Sequence, residues 1–112
     1  MLAILGALLT TVLGVLGAVA PARVARLVGI EPLGGFGLSE VRATYGGFFI
    51  ALGAACLALQ SPTAYLVAGC AWVGAAGMRL PSLVLDAGSH PRALGGAAVE
   101  LAIGLLLLSG AA

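Results

Sequence analysis

The chain has 112 residues, 62% hydrophobic and 8% charged, with a mean hydropathy of +1.19. An ordinary soluble domain carries about 25% charged residues; this chain has too few polar groups to cover a water-facing surface, so the bilayer is its expected solvent, and its length allows one domain, residues 1–112, with no extramembrane module. Its net charge of +1 comes with five arginines and no lysine, which gives no basic patch and excludes nucleic acid as a partner.

Four apolar runs follow one another, over about residues 2–19, 41–59, 62–80 and 93–109. Each is near the ~20 residues that cross the hydrocarbon core. The first ends at Ala18-Val19-Ala20, which resembles a secretory cleavage site. No Lys or Arg precedes it as a signal peptide requires, so it reads as a retained helix. Pro21 breaks it. Ala22 to Ile30 mixes Arg23 and Arg26 with Val24, Leu27, Val28 and Ile30, the pattern of a short amphipathic helix at the interface. Pro32, Gly34, Gly35 and Gly37 predict a loop. Ser39 then predicts the N-cap of the second span, and Glu40 suits its positive end. Gln60-Ser61-Pro62 predicts a tight hairpin turn. The last connection, Pro81 to Pro91, holds an apolar piece (Ser82 to Leu85) and then Asp86, Gly88, Ser89 and His90. Ser89 predicts a cap for the fourth helix and Pro91 fits its first turn.

All five arginines flank the two longer connections: Arg23, Arg26 and Arg42 the first, Arg79 and Arg92 the second. The positive-inside rule therefore predicts cytoplasmic loops at 20–40 and 81–91 and both termini outside. The fold class is all-α, an integral membrane four-helix antiparallel bundle. Arg42-Ala43-Thr44-Tyr45-Gly46-Gly47 and Arg92-Ala93-Leu94-Gly95-Gly96 open the second and fourth spans alike. That is the mark of a two-plus-two hairpin duplication, or a coincidence in a chain with 18 glycines.

Glu100 is the most informative residue. Gly96, Glu100 and Gly104 recur every four residues and form one helical stripe. Glycines let another helix approach, and a carboxylate at that depth must face protein, a cavity or a partner charge. Arg42 begins a second stripe with Gly46, Phe49 and Gly53, with Tyr45 beside it. Arg42 or Arg79 could meet Glu100, so a polar cluster of Glu40, Arg42, Tyr45, Arg79 and Glu100 is expected, closed by Asp86 from the loop. Gly46, Gly47, Gly53, Gly96 and Gly104 are the expected helix-packing positions. The cluster reads in three ways: an ion-pair network that fixes register, a polar pocket for an amphipathic ligand, or a proton relay on Glu100.

The other candidates read as structural. Cys56 and Cys70 form no Cys-x-x-Cys motif and no zinc-ligand spacing, and read as small packing residues. Trp72 reads as a packing residue, Phe48 and Phe49 as lipid or core contacts, and Tyr65 as an interfacial anchor. A lone loop histidine such as His90 reads as solvated. No metal or haem ligand set, phosphate loop or catalytic triad is present, so no cofactor and no catalytic residue is expected.

The block Glu40-x-Arg42-x-x-Tyr45-Gly46-Gly47, the pair Gly77-Met78-Arg79-Leu80 and Leu83-Val84-Leu85-Asp86-Ala87-Gly88, and a Glu in the fourth helix at Glu100 together resemble a bacterial membrane family known only as domain of unknown function 4345. The likeness runs over nearly the whole chain. It implies a four-helix bundle in the bacterial inner (cytoplasmic) membrane and lends weight to Arg42, Tyr45, Gly46, Gly47, Arg79, Asp86 and Glu100; it brings no activity. The expected function is a non-enzymatic accessory or structural subunit of a larger membrane complex. Its expected partners are membrane lipids, other membrane-protein subunits or a second copy. Besides Gly47, Ala51 and Ala55, the Gly14 and Ala18 face of the first helix is a candidate docking stripe. The alternative is binding or transport of a lipid-like or quinone-like molecule in an inner-leaflet pocket lined by Arg42, Tyr45, Arg79 and Glu100.

Overall fold

A computed structural model describes residues 1–86 and 91–112. Gly88, Ser89 and His90, with the cap expected at Ser89, lie outside the described residues. Among the described residues there are five helices: α1 (Leu2–Val19), α2 (Pro21–Leu27), α3 (Gly34–Leu59), α4 (Pro62–Leu85) and α5 (Pro91–Leu108). All except α2 are long and apolar enough to cross a membrane.

α1 inverts the usual pattern of a water-facing helix. Its buried positions are Ala3, Gly6, Ala7, Thr10, Gly14 and Gly17, spaced three and four apart on one face. Its larger residues, among them Leu5, Leu8, Leu9, Val12, Val15 and Leu16, point outward. Small side chains inside allow close backbone approach, and large apolar ones outside suit a helix that crosses a bilayer. α1 packs on α3 and on α5, and α5 carries α4. All four contribute to one core, which includes Ala3, Ala7, Cys56, Tyr65, Ala68, Trp72, Ile103 and Leu107. The Cα envelope is a slab of 39 × 31 × 16 Å.

The α1–α3 seam is set by glycines. A Cβ on Gly14 would stand 2.5 Å from the Ile50 nitrogen and 2.9 Å from the Gly46 carbonyl oxygen. One on Gly17 would meet the Tyr45 carbonyl, and one on Gly53 would stand 2.8 Å from the Ala7 carbonyl oxygen. The Gly14 and Ala18 face of α1 is thus occupied within the chain and is no free docking stripe.

Three features of the helices differ from the sequence reading. α3 begins at Gly34, so the glycine-rich stretch expected to be a loop is helical and Ser39 lies inside it, not at a cap. The first turn closes locally: Gly37 sits against Pro32, where a Cβ would be 2.8 Å from the Pro32 carbonyl carbon, and its N–H donates to the Leu33 carbonyl at 3.0 Å. α3 also passes through a π-helical turn at Arg42–Phe48, which no local pattern announces. α4 runs through Pro81 to Leu85 instead of ending at Leu80. The short helix expected after the first span is α2, with Arg23 and Arg26 exposed and Pro21 and Ala25 buried. At the hairpin, Gln60 takes a left-handed conformation (φ 43°), and Ser61 Oγ accepts from the Ala64 N–H at 3.2 Å as a cap.

Candidate functional site

The Gly96–Glu100–Gly104 stripe of α5 faces α4. A Cβ on Gly104 would stand 2.7 Å from Val73 Cγ2 and 3.2 Å from the Gly69 carbonyl oxygen. One on Gly96 would be 3.2 Å from Arg79 Nη2, so the missing side chain makes room for the guanidinium. Arg79 Nε then donates to Glu100 Oε1 at 2.8 Å. The carboxylate side chain is 16% exposed and the arginine 39%. A charge-assisted bond of this length joins α4 to α5 at one register. Tyr45 of α3 lies within electrostatic reach of Arg79.

The other expected members of the cluster are held elsewhere. Arg42 donates to the Ala18 carbonyl near the end of α1. That carbonyl is one of the last four of its helix, which have no intrahelical donor, and a cation there also suits the negative end of the dipole. Glu100 therefore meets Arg79, and Arg42 serves α1. Asp86 accepts from Ser82 Oγ at 2.9 Å at the end of α4. Glu40 and Tyr45 line a small cleft of about 370 Å³ with Phe36 and Thr44.

Of the packing glycines, Gly46, Gly53, Gly96 and Gly104 sit against neighbouring helices, whereas Gly47 faces open space. Tyr65 is 5% exposed and packs beneath Gly110, so it is a core residue and not an interfacial anchor. Its ring fills the space that opens where α4 begins beside both chain termini. Cys56 is buried and Cys70 exposed, both free. The Cys70 thiol is thus on the outer surface and not in the packing, because its helix turns its small Ala68–Gly69 side inward.

Two features lie outside the sequence reading. Thr10 is 1% exposed: its hydroxyl donates to the Gly6 carbonyl at 2.9 Å and accepts from Trp72 Nε1 at 3.0 Å. The tryptophan also lies against Phe49, with ring centroids 5.0 Å apart and the planes tilted by 52°. A hydroxyl in an apolar run was the signal for this link, which ties α1 to α4. The second is an open cleft of about 960 Å³ between α2, the segment after it and the start of α5, with Arg23, Arg26 and Arg92 in its lining. Arg92 Nη1 donates to the Arg26 carbonyl at 3.2 Å. The sequence marks these arginines for orientation alone, because nothing local brings residues 66 apart together. Among the described residues, no group of three His, Cys, Asp or Glu side chains could hold a metal ion. No protein-family model matches the chain, and no curated protein or solved structure matches it.

Proposed function

We propose that this chain is a non-enzymatic accessory or structural subunit of a larger membrane complex, built as a four-span antiparallel bundle. The observation that carries the reading is the outward face of α3. Gly47, Ala51 and Ala55 are all exposed, and nothing lies within 4 Å of a Cβ built on Gly47. A foreign helix can approach that backbone closely. The Glu100 carboxylate of α5 is already engaged by Arg79, as a register pin requires.

The antiparallel course is supported at both ends. The Arg92–Arg26 bond links the two longer connections, and Gly110 rests against Ala3 and Tyr65. The arginine end is the cytoplasmic end under the positive-inside rule, with both termini outside. The pairings of α1 with α3 and of α4 with α5, the most extensive in the fold, support a two-plus-two origin. Placement in the bacterial inner membrane rests on the resemblance to domain of unknown function 4345. The alternative, a lipid-like or quinone-like ligand held by Arg42, Tyr45, Arg79 and Glu100, has less support, because Arg42 and the Arg79–Glu100 pair already have partners in the protein.

Gentle purification from native membranes, with mass spectrometry of everything that accompanies the chain, tests the proposal. A stoichiometric protein partner is expected, and Gly47→Leu or Ala51→Leu releases it while the helical signature persists. A chain that emerges without any protein partner, with or without bound lipid, overturns the subunit reading.

A further inference from the structure

Three of the five arginines of this charge-poor chain line the larger cleft. Arg23 and Arg26 come from α2, Arg92 from the first turn of α5, and Glu31 is the one carboxylate of the lining. The lining therefore carries 3 − 1 = +2, more than the +1 of the entire protein. A second source of positive potential is present. α3, 26 residues long, starts at Gly34 in the same cleft, and Leu33 provides no side-chain cap. The uncapped N–H groups of a long helix favour an anion. Leu27, Ile30 and Leu38 supply apolar wall beside the charges. The cleft lies just past the end of α1 and at the start of α5, two of the helices that can cross a membrane. In a bilayer crossed by those helices, their ends lie at the depth of the lipid headgroups.

We infer that this cleft binds an anionic phospholipid, its phosphate held by Arg23, Arg26 and Arg92 and the beginning of its acyl chains by Leu27, Ile30 and Leu38. Guanidinium matches phosphate geometry through paired N–H donors, and the adjoining aliphatic wall distinguishes a lipid from a free anion. Arg92 serves both roles at once: its bond to the Arg26 carbonyl fixes the two sides of the cleft relative to each other.

The test is native mass spectrometry of the full chain released from detergent, with phosphatidylglycerol, phosphatidylcholine and inorganic phosphate as separate probes. Phosphatidylglycerol is retained in preference to phosphatidylcholine. Each arginine removed weakens it by about fivefold, so Arg23→Gln with Arg26→Gln weakens it by about 25-fold and Arg92→Gln by about fivefold. Glu31→Gln acts in the opposite direction and tightens binding severalfold; a loss of stability cannot produce that gain, so this variant decides the matter if an arginine variant fails to fold. Equal retention of the two lipids, or indifference to these substitutions, overturns the inference in favour of ordinary surrounding lipid. Displacement of phosphatidylglycerol by inorganic phosphate at matching concentration overturns the lipid assignment in favour of a free anion.

Discussion

Adding one methyl group at Gly14 should loosen the whole α1–α3 seam. In Gly14→Ala the new Cβ stands 2.5 Å from the Ile50 nitrogen and 2.9 Å from the Gly46 carbonyl oxygen. Comfortable non-bonded separations are about 3.5 Å, so α1 must withdraw by about 1 Å, because both obstacles are backbone and neither can rotate away. Gly17 and Gly53 share the seam, and a gap of about 0.5–1 Å there forfeits a quarter to a half of each contact's attraction. Overpacking of this kind costs about 1–3 kcal/mol, against at most about 1 kcal/mol returned by the better helix propensity of alanine. The control is Gly47→Ala, where the same propensity gain applies and the methyl meets nothing within 4 Å. The two variants should therefore differ by about 2 kcal/mol, with Gly14→Ala the weaker. Titration with a denaturing detergent reads this through the fluorescence of Trp72, the chain's single tryptophan, which is 7% exposed. A Gly14→Ala protein that unfolds at the same detergent fraction as Gly47→Ala, or later, refutes the reasoning.

Three further outcomes follow from the same geometry. Arg79→Gln and Glu100→Gln each strand a charge among apolar side chains and should each destabilise by about 2 kcal/mol, with the double variant less damaged than the sum; additive losses in the same titration would exclude a coupled pair. Thr10→Val removes the acceptor of the Trp72 indole N–H and the donor to the Gly6 carbonyl, at about 1–2 kcal/mol, with a shift in tryptophan emission as the spectroscopic mark. A membrane-permeant maleimide should modify Cys70 well before Cys56, which is 2% exposed; peptide mass mapping after brief labelling settles the order.

The four long helices were legible because apolar runs of about 20 residues have few other uses. The ends were less so, for a physical reason in each case. Glycine weighs against helix by about 1 kcal/mol relative to alanine, yet α3 begins at Gly34 and carries three glycines in its first turn, where Gly37 packs closely on Pro32 with no room for a side chain. Likewise Pro81 forfeits one backbone bond without ending α4. For Glu100 the stripe showed that a partner was needed, and depth admitted both Arg42 and Arg79. The choice between them depends on which helix lies against α5, and that is decided by packing at Gly69, Val73 and Gly104. The arginine cleft was hidden for the same reason, since its two sides meet only after the chain has folded.

The π-helical turn gives α3 a reserve of length. Val41 and Gly46 are both buried, although residues five apart on a regular α-helix point about 140° away from each other. The wider turn, with its five-residue hydrogen-bond period, brings them to one side. Removing a single residue between them, Ala43 for example, shortens that interval to four, which an ordinary α-helix aligns by itself. α3 can therefore lose one residue at this point and keep both of its halves in phase, whereas the same deletion in α1 would swing Gly14 and Gly17 off the seam.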